Sequence, residues 1–147
     1  MAAWFGASSS MSESQRNLSL TVLPGTFAIV RLAANEPVPA WATPGAFFSV
    51  TRTSDELSVV CPAGQVPRGI SVESRWRTLK VEGPFALSEI GVLAALSAPL
   101  ASAKVSLFCI STFDTDYLLV SDKQLDAAIA ALQAAGHRVD RSAAASS

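Results

Sequence analysis

The chain has 147 residues, a net charge of −1 and a pI near 5.7, so it lacks the basic surface that holds nucleic acid. Half of its residues are hydrophobic and 16% are charged, enough apolar material for one ordinary domain or two very small ones sharing a core. No apolar run approaches the roughly 20 residues that span a bilayer, and Cys61 and Cys109 are too isolated for a metal cluster, reading instead as reduced, buried thiols of a cytoplasmic protein.

Residues 1–17 are Ser-rich, without a basic segment or a long apolar core. They are expected to form a disordered tail and not a signal peptide, and 142–147 a second tail. Met11 offers an alternative start. Leu18, Leu20 and Val22 alternate with Ser19 and Thr21, which predicts a half-buried strand. Pro24-Gly25 is a turn, and Thr26 to Leu32 is a second strand. Pro37, Pro39 and Pro44 exclude a long helix and leave room for one turn around Pro39-Ala40-Trp41. Phe47 to Arg52 and Glu56 to Cys61 are strands around a Thr53-Ser54-Asp55 turn, the second stopped by Pro62. Ala63 to Glu73 is a connection.

Arg75 to Val81 is a strand closed by Glu82-Gly83-Pro84. A helix is expected from Ser88 to Ala101, capped by Ser88, with Ile90, Leu93, Ala94, Leu96 and Leu100 on its apolar face. Pro99 should kink its last turn or end it early. Val105 to Ile110 and Tyr117 to Val120 form a hairpin with a polar tip. Ser121 and Gln124 fit a capping box for a helix that buries Leu125, Ala128, Ile129 and Leu132 and stops at Gly136. His137 to Arg141 adds a short strand.

An offset of 60 lays Phe48 on Phe108, Val50 on Ile110, Glu56 on Asp116 and Val60 on Val120, and an offset of 59 lays Leu20 and Val22 on Leu79 and Val81. The chain therefore reads as a duplication, with units at 18–74 and 75–141, the first having lost its helices to proline. Units this small need each other to complete a core. The expected fold class is α+β: two interlocked ferredoxin-like βαββαβ units, with antiparallel sheets and helices on one face.

Trp76-Arg77-Thr78-Leu79-Lys80-Val81-Glu82-Gly83-Pro84, then Gly91-Val92-Leu93, then Ile110-Ser111-Thr112-Phe113-Asp114-Thr115-Asp116-Tyr117 carry a family resemblance. The chain resembles the bacterial tandem ACT-domain proteins, which are similar to the ACT pairs of the CASTOR arginine sensors and, more distantly, to aspartate kinase regulatory domains. The resemblance implies a small-ligand site, mostly for amino acids, between paired domains. It places Thr112, Phe113, Thr115 and Asp116 on one wall, and Glu89 with Phe85, Ala86 and Gly91 on a second. Ser106 and Leu107 fall on the strand whose backbone meets ligand in the related sensors, where strand and tip come from different ACT domains; a homodimer would then complete the site. Ala86 departs from the glycine that the arginine sensors carry in a loop closing over ligand.

The residues themselves support such chemistry. Asp116 or Asp114 can take a ligand ammonium, a helix start near Gly91 offers N–H groups to a carboxylate, and Phe113 can cover an aliphatic or cationic side chain. Glu89 suits a ligand cation. The same acids also suit a turn or a helix start, where Asp and Glu are favoured. The leading expectation is a non-catalytic amino-acid sensor without cofactor or metal, acting on an unnamed protein partner, with no nucleic acid and no membrane. The alternatives are a dimerisation module with a vestigial pocket, or a metal-dependent enzyme using Asp114, Asp116 and Glu89.

Overall fold

A computed structural model of the chain describes residues 16–86 and 88–145; of the tail expected at 1–17, residues 1–15 lie outside these, as do the last two residues. The strands are β1 (Ser19–Val22), β2 (Phe27–Leu32), β3 (Ser49–Arg52), β4 (Leu57–Pro62), β5 (Trp76–Val81), β6 (Phe108–Ser111), β7 (Asp116–Ser121) and β8 (Arg138–Asp140). The helices are α1 (Val92–Ser102), α2 (Leu125–Ala134) and the short α3 (Ser142–Ala145). The fold class is α+β, and the order β5-α1-β6-β7-α2-β8 is the βαββαβ of a ferredoxin-like unit.

The sheet is organised around β5. One edge of β5 pairs antiparallel with β7, from Trp76↔Ser121 to Lys80↔Tyr117, and β7 pairs with β6. On the other edge lie β1, with Val22↔Leu79, and then the first residue of β2, with Phe27↔Trp76. Pro24 and Gly25 (φ +80°) bend the chain between them. Beyond Phe27, β2 leaves β5 and pairs along its length with β4, which pairs with β3. β1 also pairs with β8, in parallel, so the sheet is mixed and not wholly antiparallel.

This pairing revises how the two units share the chain. β1 was expected to open the first unit, but it lies between β5 and β8, in the sheet of the second. The first unit's leading strand is β2, because β2 pairs with β4 as β5 pairs with β7. The two hairpins also align in another register than the expected repeat has. Arg52↔Leu57 and Ser111↔Asp116 are the last pairs before each hairpin tip, so Arg52 corresponds to Ser111 and Leu57 to Asp116, an offset of 59 and not 60. A one-residue slip matters because it exchanges the two faces of a strand. In the leading strands Phe27 corresponds to Trp76 and Leu32 to Val81, an offset of 49. The ten residues of difference match, within one, the 11-residue length of α1.

Side chains alternate between two cores, as period-2 strands require. Leu20, Val22, Leu79, Val81, Leu118 and Val120 face α1 and α2, and meet Leu96, Leu100, Ile129 and Leu132. On the opposite face Leu119, Phe108, Ile110 and Trp76 meet Phe27, Val60 and Phe47 from the first unit. Ala28, Val30, Leu57, Val59 and Cys61 make the first unit's own core under Trp41 and Val66. Single turns at Ala40–Ala42 and Ala63–Gln65 stand where helices would cover it. Leu79, Leu96, Leu118 and Leu132 are fully buried, and truncating any of them to Ala should cost about 2–5 kcal/mol.

The helix expected from Ser88 begins four residues later. Gly91, at φ +85°, is the residue before the first turn, and Ser88 caps nothing. The later start rotates the buried face to Val92, Ala95, Leu96 and Leu100, leaving Ile90 at 68% and Leu93 at 38% exposure. Pro99 does not end the helix, which runs on to Ser102. Proline has no N–H to give the carbonyl four residues back, that of Ala95. The Nε2 of His137 lies 3.0 Å from that carbonyl, and the Leu18 N–H donates to the Nδ1 of the same ring at 3.1 Å. With Nδ1 accepting, Nε2 carries the proton and donates to Ala95. His137 is thus a buried tie between α1, β1 and β8.

α2 ends as its sequence indicates: Gly136 sits at φ +98°, and the Gly136 and His137 N–H groups bond to the Gln133 and Leu132 carbonyls. Its expected capping box does not form, since Ser121 makes no side-chain cap and Gln124 donates to the Lys104 carbonyl. Residues 142–145 are a helical turn and not a disordered tail, because the Ser142 N–H and hydroxyl both donate to Asp140 Oδ1.

Candidate functional site

The tip between β6 and β7 is fixed by Thr112. Its N–H donates to the Thr115 carbonyl at 2.8 Å, and its hydroxyl bonds the same carbonyl and accepts from the Thr115 N–H. Thr115 is buried and its hydroxyl donates to the Val81 carbonyl at 2.5 Å, tying the tip to the end of β5. The chain leaving β5 is latched in turn, because the Phe85 N–H donates to the Asp114 carbonyl at 2.8 Å. Gly83 permits this approach: a Cβ there would stand 3.1 Å from the Phe85 nitrogen and 3.2 Å from the Asp114 oxygen.

Between the latched tip and the start of α1 lies a cavity of about 200 Å³, lined by residues of 85–92 and 111–116. The structure brings together Phe85, Ala86, Glu89, Thr112, Phe113, Asp114, Thr115 and Asp116, all of them anticipated. Gly91, Ser106 and Leu107 do not line it. Gly91 instead sets the start of α1. Ser106 and Leu107 precede β6, at the end of the strand away from the tip, and Leu107 packs toward the core under the helices. Two lining residues escaped the sequence reading, Val92 and Ser111. Gly91 marks the first residue and the pairing of Ser111 with Asp116 marks the second.

The lining carries three carboxylates, on Glu89, Asp114 and Asp116, and no lysine or arginine. Ser111 donates its hydroxyl to Asp116 Oδ1 at 2.5 Å, holding that carboxylate in place. Burial, and then the charge of Asp116, push the neighbouring Cys109 thiol above its ordinary pKa, with the Ser111 hydrogen bond opposing them. Burial likewise raises Cys61. Both thiols are free. Val92, the first residue of α1, brings the helix start to the cavity, and the N–H groups of Val92, Leu93 and Ala94 precede the first intrahelical donor, Ala95. Carboxylates at the tip and a helix N-terminus beside them are a combination that suits a zwitterion. Among the described residues, no three His, Cys, Asp or Glu side chains are grouped so that they could hold a metal ion.

Comparison with known proteins bears on the fold and the family. Residues 71–134 match the ACT domain model, and a second model, described as an N-terminal domain, matches 25–69. The chain is similar to an ACT domain over its second part. It belongs to the family of protein Atu0741 from Agrobacterium tumefaciens, whose crystal structure is 40% identical to it, covered over 92% of its length and 84% of this chain, with a TM-score of 0.79. Protein VC0802 from Vibrio cholerae shares the fold, with a TM-score of 0.68 at 17% identity over 84% of this chain and 94% of its own. The human Cytosolic arginine sensor for mTORC1 subunit 1 is 30% identical over 109 residues, which are 69% of this chain and 32% of the sensor. The rat protein of that name is 37% identical over 95 residues, 59% of this chain and 29% of its own. The chain thus spans about a third of the curated relatives it matches.

Proposed function

We propose that the protein is a non-catalytic regulatory module that binds a free amino acid, or a small ligand like one, between the β6–β7 tip and the start of α1. The observation that carries this reading is the convergence in one cavity of two walls distant in sequence. One bears Asp114 and Asp116, and the other bears Glu89 and Val92 at the start of α1. The ammonium is assigned to Asp116, the α-carboxylate to the helix start, and the ligand side chain to the Phe113 and Glu89 side. The similarity to arginine sensors supports an amino acid as the ligand class. The module acts as a homodimer, with Ser106 and Leu107 of a second copy closing the open side of the cavity. Ligand binding then shifts the balance between two states that a protein partner distinguishes.

A thermal-shift panel of the twenty amino acids tests the reading, since a ligand raises stability in proportion to its occupancy of the folded state. One amino acid should raise the melting temperature, and Asp116→Ala should abolish the rise. No shift with any of them at millimolar concentration rejects the reading. A second reading, an interaction module with a disused cavity, is favoured by the exposure of Phe113 (76%) and of Ile90 (68%). It requires a silent panel and a dimer that Phe113→Ser dissociates.

A further inference from the structure

Glu89 lines the cavity but is already engaged. The Arg16 guanidinium meets its carboxylate at 2.6 Å, the shortest of the ion pairs among the described residues. Arg16 reaches it from outside the ring of lining residues, across a sequence separation of 73. Its position is set by its neighbours toward β1. Leu18 is anchored through its N–H to His137 and through its carbonyl to the Arg138 N–H. The Asn17 side chain lies against Gly136. Arg16 is therefore the last residue of the N-terminal segment before β1 fixes the chain, and it points to the site.

We propose that Arg16 is an intramolecular competitor for this site, rather than a support for it. Its guanidinium docks on Glu89 in the empty protein and leaves when a ligand with a cationic side chain takes the same carboxylate. Ligand binding and docking of the Arg16 side chain then exclude one another. The physics favours an exchangeable contact. Both side chains are about a third exposed, at 28% and 32%, and ion pairs at such exposure are weak enough for a ligand of similar chemistry to displace. A pair of this kind suppresses ligand affinity by about two- to fivefold. Arg16 thereby reports on occupancy, which gives the module an output that needs no rearrangement of the sheet. This inference rests on the amino-acid reading of the cavity.

The test has two arms on the full chain. In the first, trypsin cleavage after Arg16 is timed by mass spectrometry in wild type and in Glu89→Gln, without ligand. Glu89→Gln should speed the cut severalfold; equal rates overturn the proposal whatever the cavity binds. In the second, calorimetry with L-arginine, L-lysine and the neutral L-citrulline compares wild type with Arg16→Ala. Arg16→Ala should bind the cationic probes about two- to fivefold more tightly, with citrulline unchanged, and those probes should speed cleavage of the wild type. Equal or weaker binding by Arg16→Ala shows that Arg16 supports the site, and overturns the competition while sparing the amino-acid reading. If neither protein binds any probe, the competition falls, and a silent panel of all twenty amino acids removes the reading beneath it.

Discussion

Arg52 and Ser111 occupy the same place in two hairpins built alike. Each hairpin closes on a threonine, Thr53 or Thr112, whose N–H and hydroxyl bond to the residue three places on. Each has four residues between its last strand pair. In the first, the Arg52 guanidinium crosses to the connection that leaves β2 and donates to the Ala34 and Glu36 carbonyls. In the second, the short Ser111 side chain goes no further than Asp116, and a cavity remains between the tip and the connection leaving β5. Leu57, fully buried, stands where the second hairpin has Asp116. The first hairpin has its own chain across the gap, while the second has a helix and an acidic hollow beside it. The two hairpins therefore differ in what fills the space beside the tip, and not in the tip's backbone.

The largest effect is expected where the second unit keeps what the first lacks. α1 survives Pro99 because His137 takes the free Ala95 carbonyl, and the same ring accepts the Leu18 N–H. His137→Ala orphans both groups in a buried place. Urea denaturation should show a loss of roughly 2–5 kcal/mol, since each buried polar group left unpaired costs about 1–3 kcal/mol. A loss under about 1 kcal/mol would show that α1 does not depend on this tie.

Converting the second tip to the first is the next test. Ser111→Arg should reach across the cavity, pair with Asp116 and weaken the amino acid found by the panel at least about tenfold in calorimetry, while folding stability stays within about 1 kcal/mol. Retained affinity would break the comparison. The smallest effect concerns the leading strands. Thr78 on β5 corresponds to Ile29 on β2, is fully buried, and has a hydroxyl without a hydrogen-bond partner among the described residues. Thr78→Val replaces that hydroxyl with a methyl of similar size and should raise stability by up to about 1 kcal/mol, read as a higher urea midpoint at an unchanged slope.

Much of this was legible in the sequence because strands with one buried face write their period into the chain. Leu18, Leu20 and Val22 announce β1, and Tyr117 to Val120 announce β7. The cavity's two walls followed from family resemblance at Phe85 to Glu89 and at Thr112 to Asp116. What was hidden was hidden for physical reasons. Nothing local tells β1 that its partners are β5 and β8, since strand pairing is decided by the whole sheet. The repeat's register hung on hairpin hydrogen bonds that hydrophobic similarity at offsets 59 and 60 cannot separate. Pro99 looked like a break because the compensating group, on His137, lies in another element. The Gly91 cap moved the helix start and turned Ile90 and Leu93 outward, which propensity alone does not foresee.

The most direct measurement is a two-dimensional ¹⁵N–¹H NMR titration with the amino acid that gives the largest thermal shift. Saturable shifts should fall on the amides of 85–92 and 111–116, with the first tip at 52–57 unmoved. Shifts centred on 52–57, or scattered without saturation, would contradict a ligand site at the second tip.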